Sequence, residues 1–173
     1  MKLVVFDMDG TLLDGRTILF LASKFGFEDE TREILNAEMS SKVRSERLAG
    51  FLTGISVSDF MDAVREIPLT SGAVETIAEL KREGHKTAIV TDSYDIVAEH
   101  FRTLLGMDRA VGIKLKVEKG VITGEVEMPL NCPTEEECGH PSICKSQIMK
   151  SLAADFGIPI SEIVAVGDNL VDL

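Results

Sequence analysis

Apolar positions along the chain fall into two patterns. Leu3-Val4-Val5-Phe6 is a short, unbroken apolar run. It is too short for a helix and does not alternate, which predicts a parallel strand buried on both faces. Thr87-Ala88-Ile89-Val90 and Ile163-Val164-Ala165-Val166 repeat that pattern. After the first run the period becomes helical: Ile18, Leu21, Ala22 and Phe25 fall at i, i+3, i+4 and i+7, with Gly26 as a stop. Leu35, Met39 and Val43 predict a second amphipathic helix, charged on its other face. Leu48, Phe51 and Leu52 predict a third, broken near Gly54, and Ser58 caps a fourth that buries Phe60, Met61 and Val64. Residues 15–68 thus read as a helical insert bounded by Pro68, a candidate lid over whatever the first strand carries at its end.

Beyond Pro68 strands and helices alternate. Val74, Ile77 and Ala78 mark a helix closed by Gly84, and Val97, Phe101, Leu104 and Leu105 mark one stopped by Gly106. Ile113, Leu115 and Val117 alternate with Lys114, Lys116 and Glu118, then Lys119-Gly120 turns the chain and Val121 to Val126 return. This is a β-hairpin, read as a small flap outside the main sheet. A loop runs from Asn131 to Cys144, and a helix follows on Ile148, Met149, Leu152, Ala153 and Phe156, ended by Gly157 and Pro159. Alternation of this kind predicts an α/β fold, a parallel sheet with right-handed crossovers. Its core takes residues 1–14 and 69–173, with 15–68 inserted as a cap. No internal repeat or low-complexity segment interrupts the pattern.

Composition narrows the function classes. The 173 residues are 45% hydrophobic and 27% charged, ordinary values for a globular protein with a real core. Eighteen basic against 29 acidic residues leave a net charge of −11, which argues against a nucleic-acid surface and suits a protein that binds a metal cation. Asp7 and Asp9 interrupt the first apolar run, so it is no signal peptide, and no stretch approaches the ~20 apolar residues of a membrane span. The expected location is the cytoplasm, with neither nucleic acid nor membrane as a partner and the oligomeric state open. Three cysteines, an odd number, do not make a disulfide framework.

The chemistry gathers at the ends of the three apolar runs. The first run ends in Asp7-Met8-Asp9-Gly10-Thr11, the second in Thr91-Asp92-Ser93, the third in Gly167-Asp168 and, beyond it, Asp172. A parallel sheet puts these ends on one edge, where ligands bind in open α/β folds. Gly10 allows a sharp turn and a close approach to a ligand, and Thr11 adds a hydroxyl. Four carboxylates in one place are costly unless a cation offsets them, and oxygen ligands of this kind suit Mg²⁺. A Mg²⁺ site with a carboxylate nucleophile and a lid fits phosphoryl transfer.

These residues carry a family resemblance. Asp7-Met8-Asp9-Gly10-Thr11 resembles the first motif of the haloacid dehalogenase superfamily of phosphatases, Thr91 the second, Lys145 the third, and Gly167-Asp168-x-x-x-Asp172 the fourth. The helical insert and the hairpin most resemble the phosphoserine phosphatase-like branch. The resemblance implies a Rossmann-like three-layer fold and a Mg²⁺-dependent phosphomonoester hydrolase acting on a small phosphorylated metabolite. Asp7 is then the nucleophile that forms an aspartyl-phosphate, and Asp9 the general acid and base. Asp7, Asp9, Asp168 and Asp172 serve the metal, Asp172 orienting its waters or pairing with Lys145. Thr91, Lys145, Gly10, Thr11 and Asp92 surround the phosphate. A phosphotransferase or phosphomutase of the same superfamily, and a non-catalytic metal- or ligand-binding domain, are the alternatives.

Departures from the family pattern concern the substrate. Arg16 stands where a glutamate of phosphoserine phosphatases grips the substrate ammonium, and so suggests a second negative group on the substrate. No arginine in Leu48 to Thr53 matches the one that holds the substrate carboxylate. Asp92 and Ser93 replace the glycines after the second motif, and Val171 replaces an asparagine in the fourth. Similar proteins continue past the fourth motif with further strand and helix, so the core is expected to lack these. Cys132, Cys138, His140 and Cys144 crowd the loop before Lys145. Three cysteines and a histidine match a tetrahedral zinc set, so zinc or another thiophilic metal is weighed there against unliganded thiols.

Overall fold

The computed structural model describes residues 1–129 and 143–168. Strand β1 (Leu3–Phe6) leads into four helices, α1 (Thr17–Phe25), α2 (Glu28–Asn36), α3 (Ser41–Gly50) and α4 (Val57–Arg65). Then come α5 (Ala73–Arg82), β2 (Lys86–Tyr94), α6 (Asp95–Leu105), and the hairpin β3 (Arg109–Glu118) and β4 (Val121–Glu127). Helix α7 (Lys145–Asp155), a 3-10 turn (Ile160–Glu162) and β5 (Ile163–Val166) complete the described chain. The sheet order is β4-β3-β2-β1-β5, with every pair parallel except β3–β4.

This is the α/β, Rossmann-like architecture expected. The apolar runs of β1 divide between two cores because successive side chains point to opposite faces. Val4 and Phe6 pack with Leu21, Phe60, Ile77 and Phe101 on the face covered by α1, α4, α5 and α6. Leu3 and Val5 pack with Ile148, Met149 and Leu152 of α7 on the other. Each fully buried Leu, Ile or Phe contributes on the order of 2 kcal/mol, so both layers hold the central strand from either side.

Register aligns the strand ends. Phe6 stands beside Ile89 of β2 and Val166 of β5. Asp7 follows directly, its N–H donating to the Val166 carbonyl at 2.8 Å, so the carboxyl edge of the sheet begins at the first acidic residue.

Three local features differ from the sequence expectations. The hairpin does form, turning at Lys119-Gly120, but it is not outside the sheet: β3 begins at Arg109 and pairs in parallel with β2, Ala88 beside Arg109 and Val90 beside Val111. The alternation that signalled a free flap belongs to its far half only. The second helix is split at residues 37–40, where Ala37 is extended (φ −77°, ψ 144°) and Ser40 caps α3, accepting from the Val43 N–H at 3.4 Å. Ser56, not Ser58, caps α4: its Oγ accepts from the Asp59 N–H at 3.0 Å, three residues on, while Ser58 lies inside the first turn.

The hairpin also grips the chain between α3 and α4. Gly54 N–H donates to the Ile122 carbonyl, Ile122 N–H to the Ile55 carbonyl, and Val57 N–H to the Gly120 carbonyl, each at 2.9 Å.

Candidate active site

The loop after β1 is held by its own backbone. Leu12 and Leu13 N–H groups donate to the Met8 carbonyl at 3.0 Å, and Gly10 N–H donates to the Gly15 carbonyl at 2.9 Å. Gly10 has φ +76°, a conformation that favours glycine. A Cβ there would sit 2.7 Å from Asp168 Oδ2, so the Asp168 carboxylate lies directly against the turn that follows Asp9.

A cavity of about 260 Å³ opens at this edge. Its sheet side is made by Asp7, Asp9, Asp92, Ser93, Tyr94 and Asp168. The opposite wall comes from the helical segment: Arg16 and Ile18 at the start of α1, Leu35 of α2, and Ser41, Arg44, Ser45 and Leu48 of α3. Sequence reasoning singled out Asp7, Asp9, Arg16, Asp92 and Asp168, and the fold brings all five to this one cavity.

The two leading carboxylates sit in unlike surroundings. Asp7 is buried, and the Lys145 ammonium, on the first residue of α7, donates to its Oδ1 at 2.7 Å. Asp9 accepts from the buried Thr17 hydroxyl at 2.5 Å. Burial pushes the Asp9 carboxyl from 3.8 up to about 7; the Thr17 hydrogen bonds pull against this, and the charges of Asp92 and Asp7 add to it. Asp9 can therefore hold a proton near neutrality. Burial, with the Asp9 charge, also raises the Tyr94 phenol, which keeps it protonated.

Other expected residues lie near the cavity without lining it. Thr91 is fully buried at the β2 end, and its Oγ1 accepts from the Ser93 N–H at 3.1 Å. Thr11 is half-buried, with its hydroxyl oxygen lacking a hydrogen-bond partner among the described residues. Cys144 is buried, directly before Lys145. Cys132, Cys138, His140 and Asp172 lie outside the described residues, so the proposed thiol-rich loop and one carboxylate of the fourth motif have no structural account.

The donor set fits a hard cation. Asp7, Asp9 and Asp168 bring carboxylates to one loop edge, with the exposed Asp92 beside them. Among the described residues no three such side chains converge enough to cage an ion alone. Mg²⁺ does not need that, because it keeps most of its waters and takes one or two carboxylates.

Arg44 is the main residue that sequence reasoning missed. Its signal was present: Ser41, Arg44, Ser45 and Leu48 fall at i, i+3, i+4 and i+7 and form one stripe of α3. A mixed polar stripe does not stand out in a search for apolar ones.

Known proteins resemble this chain along nearly its whole length. A sequence model of the haloacid dehalogenase-like hydrolases matches residues 4–173. The phosphoserine phosphatase of Methanocaldococcus jannaschii is 32% identical over 176 residues, with 99% of this chain and 79% of that protein covered. That of Archaeoglobus fulgidus is 31% identical over 175 residues, covering 99% of this chain but 48% of the longer relative. Among solved structures, a phospho-aspartyl intermediate analogue of a phosphoserine phosphatase superposes with a TM-score of 0.82 at 31% identity, over 99% of this chain and 79% of that one. A substrate-bound phosphoserine phosphatase complex gives 0.82 at 30% identity over the same shares.

Proposed function

The chain belongs to the haloacid dehalogenase-like hydrolases, and from that premise we propose that it is a Mg²⁺-dependent phosphatase of small phosphomonoesters working through an aspartyl-phosphate on Asp7. One observation carries the reading. Two carboxylates two residues apart face one cavity, Asp7 paired with the Lys145 ammonium and Asp9 half-buried with its carboxyl raised to about 7. That division suits a nucleophile and a general acid.

In the first half-reaction a carboxylate oxygen of Asp7 attacks phosphorus and the bond from phosphorus to the ester oxygen breaks. The departing oxygen takes the proton from Asp9 and leaves as the alcohol. In the second, Asp9 removes a proton from water, the water oxygen attacks the same phosphorus, and Asp7 is regenerated as phosphate leaves. Lys145, already on Asp7, would offset phosphate charge, and the Thr91 hydroxyl would donate to a phosphate oxygen. Asp168 with Asp7 and the backbone at Asp9 would hold Mg²⁺, with Asp172 supporting it. When bound, that ion neutralises phosphate charge and polarises phosphorus. The helical segment 15–68 acts as the cap, since α1, α2 and α3 wall the cavity opposite the strand ends.

The relatives are named phosphoserine phosphatases, so O-phospho-L-serine heads the substrate panel. Phosphate release from a range of phosphomonoesters, with and without Mg²⁺, tests the proposal. Release that needs Mg²⁺ and disappears in Asp7→Asn is expected. No release from any ester, or release that survives Asp7→Asn, would overturn it.

A further inference from the structure

The charges on the two walls of the cavity are segregated. All four acidic groups of the lining, Asp7, Asp9, Asp92 and Asp168, come from the strand ends. The helical wall contributes Arg16, Arg44, Ser41 and Ser45 and no acidic side chain. Neither guanidinium makes an ion pair with a carboxylate among the described residues, although the chain carries 29 acidic residues.

Both arginines are set in place by the backbone around them. Arg16 precedes α1, its carbonyl accepting from Leu19 and Phe20 N–H at 3.1 and 3.2 Å, and its neighbour Thr17 is bonded to Asp9. Arg44 is half-buried, and one terminal nitrogen donates to the Ala37 carbonyl at 3.2 Å. The Arg44 Nε is buried and has no acceptor among the described residues. Arg44 also lines the cavity, and a guanidinium held there by one terminal nitrogen suits an anion, because its planar fork matches a carboxylate. Ser41 and Ser45 add hydroxyls on the same helix stripe.

We propose that Arg16 and Arg44, with Ser41 and Ser45, form a subsite for a carboxylate on the alcohol part of the ester. The substrate class is then a small phosphorylated hydroxy acid without an ammonium group. This rests on the phosphatase reading and specifies its substrate. An ammonium next to the carboxylate would face two guanidinium groups, with every lining acid on the far, phosphate-binding side.

The test compares kcat/KM for 2-phosphoglycolate, O-phospho-L-serine, phosphoethanolamine and phenyl phosphate, with Mg²⁺, in the wild type, Arg16→Gln, Arg44→Gln and Arg44→Lys. The wild type should prefer 2-phosphoglycolate to phosphoserine by about tenfold or more. Each Gln variant should lower the ratio of 2-phosphoglycolate to phenyl phosphate by about tenfold to a hundredfold, mostly through KM. Arg44→Lys should recover part of it, because it keeps the charge but loses the fork. Arg16 is exposed, so its variant reads the subsite even where Arg44→Gln does not fold. Equal or better use of phosphoserine, or a ratio that Arg16→Gln leaves unmoved, would overturn the subsite while phosphate release upheld the phosphatase. If no ester were hydrolysed, the phosphatase reading would fall and calorimetry would judge the subsite. Binding of 2-phosphoglycolate at least tenfold tighter than phenyl phosphate, weakened in Arg16→Gln, would support it, and equal binding would overturn it.

Discussion

At the scale of single residues, the proposed reaction depends on two aspartates with unlike surroundings. Asp9 is held by Thr17 and raised by burial, and in the proposed reaction it is the proton source for the leaving oxygen. An ester whose alcohol leaves readily does not need that proton, whereas an alkyl ester does. In Asp9→Asn the hydrolysis of alkyl phosphates should fall by about 10²- to 10⁴-fold, the range of a lost general acid. With p-nitrophenyl phosphate the first half-reaction should persist and the second stall, giving a burst of about one equivalent of nitrophenol. Stopped-flow absorbance reads this directly, and equal slowing of both esters with no burst would remove Asp9 from the acid role. The positions of Asp7, Asp9 and Asp168 were legible because each follows a short apolar run by a fixed number of residues, and parallel register turns that spacing into proximity. Arg44 was not legible. A charged residue on a short helix looks the same in sequence whether it meets solvent or a cavity, and only the packing of α3 across from the strand ends decides.

At the scale of elements, the strands and most helices follow from periodicity. The hairpin's place in the sheet did not, because its pairing with β2 joins residues far apart in sequence and leaves no local mark. That placement has consequences for stability. Gly124 of β4 has φ +83°, and a Cβ there would come within 2.0 Å of Thr53 Oγ1 and 3.3 Å of Gly50 Cα. Thr53 itself donates to the carbonyls of Gly50 (2.7 Å) and Thr123 (3.3 Å). Gly124→Ala should therefore cost about 2 kcal/mol, from the left-handed backbone and the disturbed Thr53 hydroxyl. Urea unfolding measures it, and adding Thr53→Ala should relieve the clash but not the backbone cost. A second clamp lies at the start of β2. Asp108 accepts from Thr87 N–H at 3.0 Å and from Lys86 Nζ at 2.9 Å. Burial would raise its carboxyl, but the bonds from Thr87 and Lys86 outweigh it and hold the group below 3.8. A carboxyl depressed in the folded state adds stability above its unfolded pKa, and that stability is lost as pH falls through the folded value. Below about pH 4 the gap between wild type and Asp108→Asn, about 1 kcal/mol at neutral pH, should close. Melting curves at pH 7 and pH 3 would show it, and a constant gap would mean that Asp108 acts through packing alone.

At the scale of the whole molecule, the parts around the cavity are coupled through the sheet. The helical segment supplies one wall, and the hairpin ties the chain between α3 and α4 to the edge of the same sheet whose other strands carry the acids. The net charge of −11 surrounds a cavity edge that already concentrates Asp7, Asp9, Asp92 and Asp168. Repulsion among these carboxylates opposes folding until a cation offsets it, so a cation that binds only the folded chain should stabilise all of it. At a hundred times its dissociation constant such an ion contributes about 2.7 kcal/mol, which for a chain of this size raises Tm by roughly 5–10 °C. Calorimetric melts with MgCl₂, and with NaCl at matched ionic strength, separate a bound ion from general screening. Mg²⁺ should raise Tm well beyond NaCl, a chelator should reverse the gain, and Asp168→Asn should blunt it, because Asp168 packs against the turn after Asp9. Equal shifts with the two salts would show that the acidic edge is merely screened, and the metal role of the strand-end carboxylates would be lost with it.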